Sequence, residues 1–326
     1  MPNSEWYGAL EPGVKLPGGH GPGYYLKRVI GQGGFGITYE AESFNGIEGS
    51  ANGATVAIKE FFPKDCAVRG SDGITVCARP GCEEEYVSRL SRFSEEGRTL
   101  TALSGCDSVV RVLSTFDANN TSYLVMEYLD GMPLYKKAME LGGRIPPEEL
   151  LPRLPKLLLD IAAMHRAGIL HRDITPDNIM WMPDGTLKLI DFGSARSMSQ
   201  DKKTVFLKFG YSPIEQHITS GQGPYTDIYA LCATIYYLLS GVNPPEAVDR
   251  LDNDPLRPLI SLGVALTPEE DAAILHGLAV QPMERTQTAD DLLRELSPVP
   301  ARARRGRGKP SFFRRLADRL LRRGRA

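Results

Sequence analysis

Residues 171–193 constrain the fold of this chain more than any other stretch. A carboxylate and a carboxamide, Asp173 and Asn178, stand five residues apart in a proline-containing loop. An apolar strand pattern follows at residues 187–190, and Asp191 comes directly after it. Because Mg²⁺ prefers carboxylate and amide oxygens, Asn178 and Asp191 are candidate ligands of a metal ion. Aspartates that only cap turns are the alternative interpretation.

A glycine-rich stretch at residues 31–36 lies between predicted strands at 25–30 and 37–40. Without a Cβ, glycine lets backbone N–H groups approach phosphate oxygens closely. A helix should follow a dinucleotide-binding glycine motif, so the second strand argues against that class of site. On these residues alone, a nucleotide-phosphate loop and a plain hairpin both stay open.

Lys59 ends an apolar strand pattern at residues 55–59, where an unpaired ammonium would be costly to bury. Its side chain therefore needs anions nearby. Glu96, on a predicted helix at residues 83–103, is one candidate, and nucleotide phosphates are the other. The alternative is a lysine that reaches from an edge strand into solvent.

The pattern of the chain changes near residue 131. Residues 1–23 contain ten glycines or prolines and no apolar periodicity, which predicts an irregular arm. Strand patterns follow, including one at 123–126, and helical patterns take over after residue 131. The predicted helices of this second part lie at residues 150–166, 227–240, 268–278 and 288–295. Residues 228–245 carry no charge, and we interpret them as a buried core helix, not a membrane span.

In this order, the glycine-rich stretch, Lys59, the loop at 171–178 and Asp191-Phe192-Gly193 resemble the motifs of eukaryotic-type protein kinases, most of all bacterial serine/threonine kinases. The resemblance covers residues 24–297. It implies an α+β bilobal fold, with a small β-rich N-lobe at 24–130 and a larger helical C-lobe at 131–297. It also implies ATP-dependent phosphorylation of serine and threonine hydroxyls on proteins, with autophosphorylation. The implied cofactors are ATP and Mg²⁺, with Mn²⁺ as the alternative metal.

The resemblance assigns roles to individual residues. Lys59 is expected to hold the α- and β-phosphates and to pair with Glu96, and Asp173 to accept the proton of the substrate hydroxyl. Asn178 and Asp191 are expected to bind Mg²⁺. The residues expected around the nucleotide are Gly31, Gly33, Gly34, Phe35 and Gly36 in the glycine-rich loop, with Ala57, Met126, Glu127, Leu129 and Met180 around adenine.

Three further matches imply structural roles. Glu215, in Pro213-Ile214-Glu215, stands where the family has Ala-Pro-Glu, and Arg285 resembles its usual ion-pair partner. Asp227 resembles the aspartate that anchors the catalytic loop from the long buried helix.

Two positions depart from the family pattern in their chemistry. Thr175 stands where serine/threonine kinases usually have a lysine that contacts the transferring phosphate. Lys208, counted back from Tyr211, stands where the family usually has the threonine that contacts this lysine and the catalytic aspartate. The two residue types are exchanged, and we predict that Lys208 restores the charge, with Thr175 as its neighbour. An exposed Lys208 in a loop is the alternative.

Residues 61–90 form a long segment between Lys59 and Glu96 that holds Cys66, Cys77 and Cys82. Three cysteines without a nearby histidine fall short of the four ligands of a structural zinc site. We therefore expect an ordered insert, with zinc as the alternative. The odd total of five cysteines, and a start that lacks a signal-peptide pattern, indicate a reducing, cytosolic compartment.

The activation segment suggests a phosphorylation switch. Arg172, beside the catalytic aspartate, implies a cationic pocket that a phosphorylated residue could neutralise. Thr204 is the expected residue, with Ser197 and Ser199 as alternatives. Constitutive ordering without phosphate stays open.

Other functions remain as alternatives. A pseudokinase scaffold usually loses Lys59, Asp173 or Asp191, and none is lost here. Small-molecule phosphotransferases share the Asp/Asn loop but lack the glycine-rich loop of this type and the segment at 213–215. Tyrosine specificity is disfavoured, because tyrosine kinases have a different pattern at Thr175.

The end of the chain differs in charge from the rest. Residues 301–326 hold eleven bases and one acid, whereas the first 300 residues hold 27 bases and 39 acids. A helix after Pro310 would align Phe312, Leu316 and Leu320 in an apolar stripe with basic residues elsewhere. We expect this tail, residues 298–326, to bind an anionic membrane surface or an acidic partner protein. A solvated tail and, less favoured, nucleic acid are the alternatives. The expected location is cytoplasmic, peripheral at the inner membrane surface.

Overall fold

The computed structural model describes residues 6–18, 23–44, 53–101, 103, 105–192, 196–197, 207–218 and 221–297. The chain divides into two compact units. The N-terminal unit is Met1–Gly105 with Val110–Asp130, and the C-terminal unit is Cys106–Val109 with Gly131–Ala326. The boundary lies where the sequence pattern changes from strands to helices.

Strands dominate the N-terminal unit. Its elements are β1 (Lys15–Leu16), β2 (Gly23–Gln32), β3 (Gly36–Phe44), β4 (Thr55–Phe61), β5 (Ala67–Arg69), β6 (Val76–Ala78), α1 (Glu83–Thr101), β7 (Val112–Ala118) and β8 (Thr121–Glu127). Six strands form one antiparallel sheet in the order β1-β2-β3-β4-β8-β7. The four predicted strands of this region are present as β2, β3, β4 and β8, each longer than predicted.

Helix α1 packs against the sheet through an aromatic cluster. Tyr86 and Phe93, two turns apart on α1, are buried, and their rings lie 5.5 and 5.3 Å from that of Phe61 at the end of β4. This spacing places both on one face of the helix. The predicted helix at 83–103 is confirmed and ends two residues earlier.

The prediction of an irregular arm over residues 1–23 was wrong for part of it. Leu10 and Leu16 are each 1% exposed. Lys15 and Leu16 pair with Tyr25 and Tyr24 of β2. Two apolar residues six positions apart give no periodicity, yet both are buried and this segment pairs with the sheet.

The insert at residues 61–90 contains a small hairpin, β5–β6, in which Val68 pairs with Cys77. Cys66 is buried, Cys82 is partly exposed and Cys77 is exposed, and all are free thiols. Within the ranges that the structure describes, no three histidine, cysteine or acidic side chains form a metal-binding group.

Helices dominate the C-terminal unit. Its elements are β9 (Met132–Pro133), α2 (Leu134–Glu140), α3 (Pro147–Leu150), α4 (Leu154–Arg166), β10 (Ile169–Leu170), β11 (Ile179–Trp181), β12 (Leu187–Leu189), β13 (Arg196–Ser197), α5 (Ile214–His217), α6 (Pro224–Ser240), α7 (Pro268–Gly277) and α8 (Ala289–Leu296). Short antiparallel sheets β12-β11-β9 and β10-β13 accompany the helices. Together the two units have the α+β architecture that the resemblance implied.

One predicted helix is divided. The expected helix at 150–166 is split into α3, a 3₁₀ turn at Leu151–Arg153, and α4. Pro152 and Pro155 cause the division, because proline has no N–H for the helical hydrogen-bond ladder.

Helix α6 accounts for the uncharged stretch. Thirteen of its 17 residues are buried, and it ends where Gly241 takes a left-handed φ of 76°. Among the described residues, no helix is long and apolar enough to cross a membrane. The expected tail, residues 298–326, lies outside the described residues.

Candidate active site

The glycine-rich stretch forms a tight turn between β2 and β3. Gly33 N donates a hydrogen bond to Gly36 O at 3.0 Å. A Cβ at Gly33 or Gly34 would meet no atom within 4 Å, whereas one at Gly36 would lie 2.3 Å from Glu60 O. Glycine is therefore required at Gly36 for the close approach of β4, and the tip of the turn presents bare backbone.

Lys59 lies in β4 beside this turn. Its Cε lies 3.7 Å from the position that a Gly36 Cβ would take, and the residue is 8% exposed. In the sheet register it stands opposite Thr38 on one side and Leu124 on the other. The N-terminal unit thus brings together Lys59 and the glycine-rich turn, the two elements expected to bind phosphate.

Glu96 lies on the turn of α1 that touches the sheet. A Cβ at its neighbour Gly97 would approach Thr115 Cγ2 at 2.8 Å and Leu124 Cγ at 3.2 Å. Leu124 of β8 is the register partner of Lys59. The helical turn that carries Glu96 therefore contacts β8 next to Lys59. The Lys59–Glu96 ion pair itself stays a prediction.

The residues expected around adenine lie partly in each unit. Ala57 pairs with Met126 in the register of β4 and β8. Glu127 N donates to Arg111 O at 3.0 Å, and Glu127 Oε1 accepts from Arg111 N at 2.9 Å, which fixes the end of β8. Met180 is a buried residue of β11 in the C-terminal unit.

Asp227, on α6, anchors the loop that carries Asp173. Its Oδ2 accepts from His171 N at 2.8 Å and its Oδ1 from Arg172 N at 2.7 Å, while His165 Nε2 lies 2.8 Å from Oδ2. Burial alone would raise the pKa of Asp227, but the hydrogen bonds from His165 and His171 N outweigh it and hold this pKa below its ordinary value. The resulting carboxylate fixes two consecutive backbone N–H groups directly before Asp173.

His171 is held in one neutral tautomer. Its Nδ1 accepts a hydrogen bond from Asp173 N at 3.2 Å, so the proton lies on Nε2, which is 3.0 Å from Ile190 O. Burial lowers the pKa of His171, which favours this neutral form. His171 therefore links the Asp173 loop to the residue that precedes Asp191.

The carboxylate of Asp173 is oriented by Asn178. Asn178 Nδ2 donates to Asp173 Oδ2 at 2.9 Å and to Asp173 O at 2.8 Å. Burial raises the pKa of Asp173, against the opposing effect of the nearby Lys208 ammonium. This arrangement suits a carboxylate that accepts a proton from a bound hydroxyl.

The two candidate metal ligands leave the same end of a hairpin. Ile179 pairs with Leu189 in the β11–β12 register, and Ile190 N donates to Asn178 O at 2.8 Å. Asn178 therefore stands one residue before β11 and Asp191 two residues after β12, at the same end of the hairpin. Asp191 takes a φ of +60°, an uncommon value for a non-glycine residue that is often found at functional sites. With Nδ2 of Asn178 engaged by Asp173, the amide oxygen is the atom suited to a hard cation.

The structure places Lys208 at the predicted base. Lys208 Nζ lies 3.0 Å from Asp173 Oδ1 and 3.4 Å from Thr175 Oγ1. The lysine backbone is fixed by Ser212, whose Oγ accepts from Lys208 N at 2.9 Å and whose N donates to Lys208 O at 3.1 Å. The exchanged residues Thr175 and Lys208 thus form one group with Asp173, although the role of Lys208 toward phosphate stays a prediction.

Glu215 and Arg285 form a buried ion pair. Arg285 Nη1 lies 2.7 Å from Glu215 Oε1, and the side chains are 0% and 2% exposed. Thr226 Oγ1 also donates to Glu215 Oε1 at 2.9 Å, and Arg285 Nη2 donates to Glu215 Oε2 at 3.3 Å. The other three N–H groups of Arg285 bind the carbonyl oxygens of Tyr225, Ala279 and Val280. The pair fastens the start of α5 to the region before α8.

Sequence reasoning missed two side chains that support the loop at residues 171–178. Gln216 Nε2 donates to Arg172 O at 2.9 Å, and Thr234 Oγ1 donates to Ile174 O at 3.2 Å. A polar residue inside the uncharged stretch at 228–245 was the only available signal for Thr234.

The predicted phosphorylation sites lie mostly outside the described residues. Thr204 and Ser199 lie outside the described residues, as does Gly193 of the metal-binding motif, and Ser197 is described only as backbone in β13.

Comparison with known proteins agrees with this geometry. The family model described as "Protein kinase domain" matches residues 24–297. The chain belongs to the protein kinase family. A solved structure described as the apo form of PpkA-294 superposes with a TM-score of 0.75 at 31% sequence identity, covering 89% of this chain and 99% of that one.

Curated relatives point to the same family. A protein of Streptomyces coelicolor named "Probable serine/threonine-protein kinase" is 28% identical over 82% of this chain and 38% of its own length. Serine/threonine-protein kinase PknB of Mycolicibacterium smegmatis is 30% identical over 64% of this chain and 36% of its own length. PknL of Mycobacterium bovis is 31% identical over 64% of this chain and 53% of its own length. The chain therefore matches between about a third and a half of the length of these kinases.

Proposed function

We propose that this kinase transfers the γ-phosphoryl group of ATP to serine and threonine hydroxyls of proteins. The observation that carries the proposal is the fixed orientation of the Asp173 carboxylate. Its carboxylate is oriented by Asn178 Nδ2 at 2.9 Å, in a loop whose backbone is held by the buried Asp227. A positioned carboxylate of this kind can accept the hydroxyl proton as the phosphoryl group is transferred.

Residues of both units have roles in the proposal. In the N-terminal unit, the bare backbone at Gly33 and Gly34 and the buried ammonium of Lys59 suit nucleotide phosphates. In the C-terminal unit, Asn178 and Asp191 suit Mg²⁺, or Mn²⁺, through oxygen ligands. The metal ion, when bound, would neutralise charge on the phosphates. ATP and Mg²⁺ are therefore the proposed cofactors.

We include Lys208 and Thr175 among the catalytic residues. The Lys208 ammonium lies 3.0 Å from the proposed base, so it lies close to where the hydroxyl oxygen and the phosphoryl group would meet. A fixed positive charge there would stabilise negative charge that develops during transfer. Thr175 Oγ1, at 3.4 Å, helps to hold the ammonium in place.

The test of the proposed function compares substrate classes. The full chain is incubated with Mg²⁺-ATP and, separately, an unfolded protein rich in serine and threonine, a tyrosine-only peptide, choline and an aminoglycoside. Asp173→Asn is the control, because it keeps the shape of the side chain and removes the base. Transfer to the serine- and threonine-rich protein that Asp173→Asn abolishes supports the proposal. Transfer to a small molecule would instead support a small-molecule phosphotransferase, and ATP binding without transfer would support a pseudokinase.

For the tail we propose docking at an anionic membrane surface on the cytoplasmic side. The support is the sequence: eleven bases against one acid over residues 301–326, with a Phe/Leu stripe at helical spacing. The test is co-sedimentation with anionic and neutral vesicles, comparing the full chain with one truncated after Pro300. Salt-sensitive binding that is lost on truncation supports membrane docking. Equal partitioning of both chains would reject it and leave an acidic partner protein as the next candidate.

A further inference from the structure

Glu60, next to Lys59 in β4, is a fully buried carboxylate. Its Oε1 accepts from Tyr123 Oη at 2.9 Å and Arg69 Nη1 at 2.8 Å, and its Oε2 from Tyr39 Oη at 2.9 Å and Arg69 Nη2 at 2.7 Å. Burying a carboxylate is costly unless such partners compensate the loss of water. Since successive side chains of a strand point to opposite faces, this cluster holds β4 from the face opposite to Lys59.

Arg69 connects this cluster to the N-terminal segment, which we define as residues 6–16. Its Nε and Nη2 donate to Gly8 O at 2.9 and 2.6 Å, and its Nη1 also donates to Ile74 O at 2.8 Å. All five N–H groups of the guanidinium are thus engaged. The connection is reinforced by Leu10, whose N donates to Tyr39 Oη at 3.0 Å.

The N-terminal segment in turn contacts the glycine-rich turn. Gln32 Nε2 donates to Tyr7 O at 2.6 Å, one residue before the carbonyl that Arg69 holds. Gly8 has a φ of +69°, and a Cβ there would lie 2.4 Å from Phe62 Cζ. Phe62 N, just beyond β4, donates to Phe35 O at 2.9 Å. A continuous set of contacts therefore runs from β4 through Arg69 and Gly8 to the turn.

We propose that Arg69 and Gln32 are positioning residues for nucleotide binding, acting through the N-terminal segment. Arg69 fixes β4, and with it Lys59, relative to Gly8, and Gln32 fixes the glycine-rich turn relative to Tyr7. The two phosphate-binding elements are thereby held at one separation before ATP arrives. This inference rests on the proposed function, and it assigns a role in ATP affinity to a segment that precedes the matched kinase domain.

The test uses three changes to the full chain that interrupt the contacts at different points. Gln32→Ala changes a partly exposed side chain and removes the hydrogen bond between the glycine-rich turn and Tyr7 O. Deletion of residues 1–9 removes both carbonyl acceptors but keeps Leu10 and Leu16. Arg69→Met combined with Glu60→Gln removes the ion pair without leaving a buried unpaired charge. Arg89→Met is the matched control, because Arg89 is 14% exposed, against 11% for Arg69, and pairs with Asp65 and Glu85 instead.

Two readouts separate positioning from a general loss of structure. The Kd for a non-hydrolysable ATP analogue with Mg²⁺ is measured by calorimetry, and KM for ATP and kcat by steady-state kinetics. We expect Kd and KM to rise about tenfold in the double variant, and less in the other two, with kcat kept within about twofold. Arg89→Met should match the unmodified chain.

The outcomes distinguish the two proposals. The positioning role is wrong if the folded Gln32→Ala variant and the folded deletion variant bind the analogue as tightly as the unmodified chain does. This conclusion holds even if the double variant fails to fold. A fall in kcat at constant KM would also contradict it. If the unmodified chain binds no analogue, the proposed function itself fails, and this inference fails with it.

Discussion

Lys208 Nζ lies 3.0 Å from Asp173 Oδ1, which is the carboxylate oxygen that Asn178 does not contact. The two oxygens of the proposed base are thus held from two sides, one by an ammonium and one by an amide. Because this cation lies at the proposed base, our proposal makes Lys208 part of the transfer chemistry. The residue lies in a segment without the apolar pattern of a helix or a strand.

We predict that Lys208→Ala lowers kcat about 100-fold and changes KM for ATP little, because the charge acts on the phosphoryl group in transit. The exchanged variant Thr175→Lys/Lys208→Thr should recover part of this loss. Steady-state kinetics with a protein substrate measure both effects, with Lys136→Ala, an exposed lysine of α2, as the control. Normal turnover by Lys208→Ala would reduce Lys208 to a surface residue.

The Glu215–Arg285 pair predicts a large effect on stability. Arg285→Met leaves Glu215 buried without its partner, so we expect the free energy of unfolding to fall by about 3–5 kcal/mol. Glu215→Gln/Arg285→Met should lose less than Arg285→Met alone, since no buried charge remains unpaired. Urea unfolding measures both, with Arg294→Met as the control because Arg294 is 75% exposed in its pair with Asp291. Equal losses in the single and double variants would show that charge pairing is not the cause.

His171 should stay neutral as the pH falls. Burial lowers the pKa of His171 in the folded chain. As the pH falls, the histidine of the unfolded chain is therefore protonated first. The free energy of unfolding then decreases as the pH drops below the ordinary histidine pKa of about 6.5. Side-chain ¹⁵N NMR should show the Nε2–H tautomer of His171 in the folded protein at pH about 6, whereas in concentrated urea the ring should be largely protonated. An imidazolium signal for His171 in the folded protein at that pH would contradict the hydrogen bonds described here.

Much of the site could be predicted because its residues are adjacent in sequence and have few alternative uses. Asp173 and Asn178 share one loop, and Asp191 follows a short apolar strand, so their order indicated a group of oxygen ligands, and the resemblance to protein kinases implied their roles. The α+β fold followed from the same motifs and from the change of periodicity near residue 131. The exchange of Thr175 and Lys208 was detectable only as a mismatch with the family pattern.

The contacts of the N-terminal segment could not be predicted in this way. Arg69 binds Gly8 O and Glu60 across separations of 61 and nine residues, through a carbonyl and a carboxylate. Backbone acceptors have no sequence signature, and the glycines and prolines of residues 1–23 favoured irregular structure. Glu60, a second charge in an apolar strand, was the signal that could have indicated a buried partner.

The most direct test of the account is phosphosite mapping. The full chain and Asp173→Asn are purified, incubated with Mg²⁺-ATP and a serine- and threonine-rich protein, and analysed by mass spectrometry. We predict new phosphate on serine and threonine, both on the substrate and on the chain itself, and a loss of incorporation by orders of magnitude in Asp173→Asn although it remains folded and binds the nucleotide. Equal incorporation by Asp173→Asn, or none by an unmodified chain that binds ATP, would contradict the central claim that Asp173 is the base of a protein serine/threonine kinase.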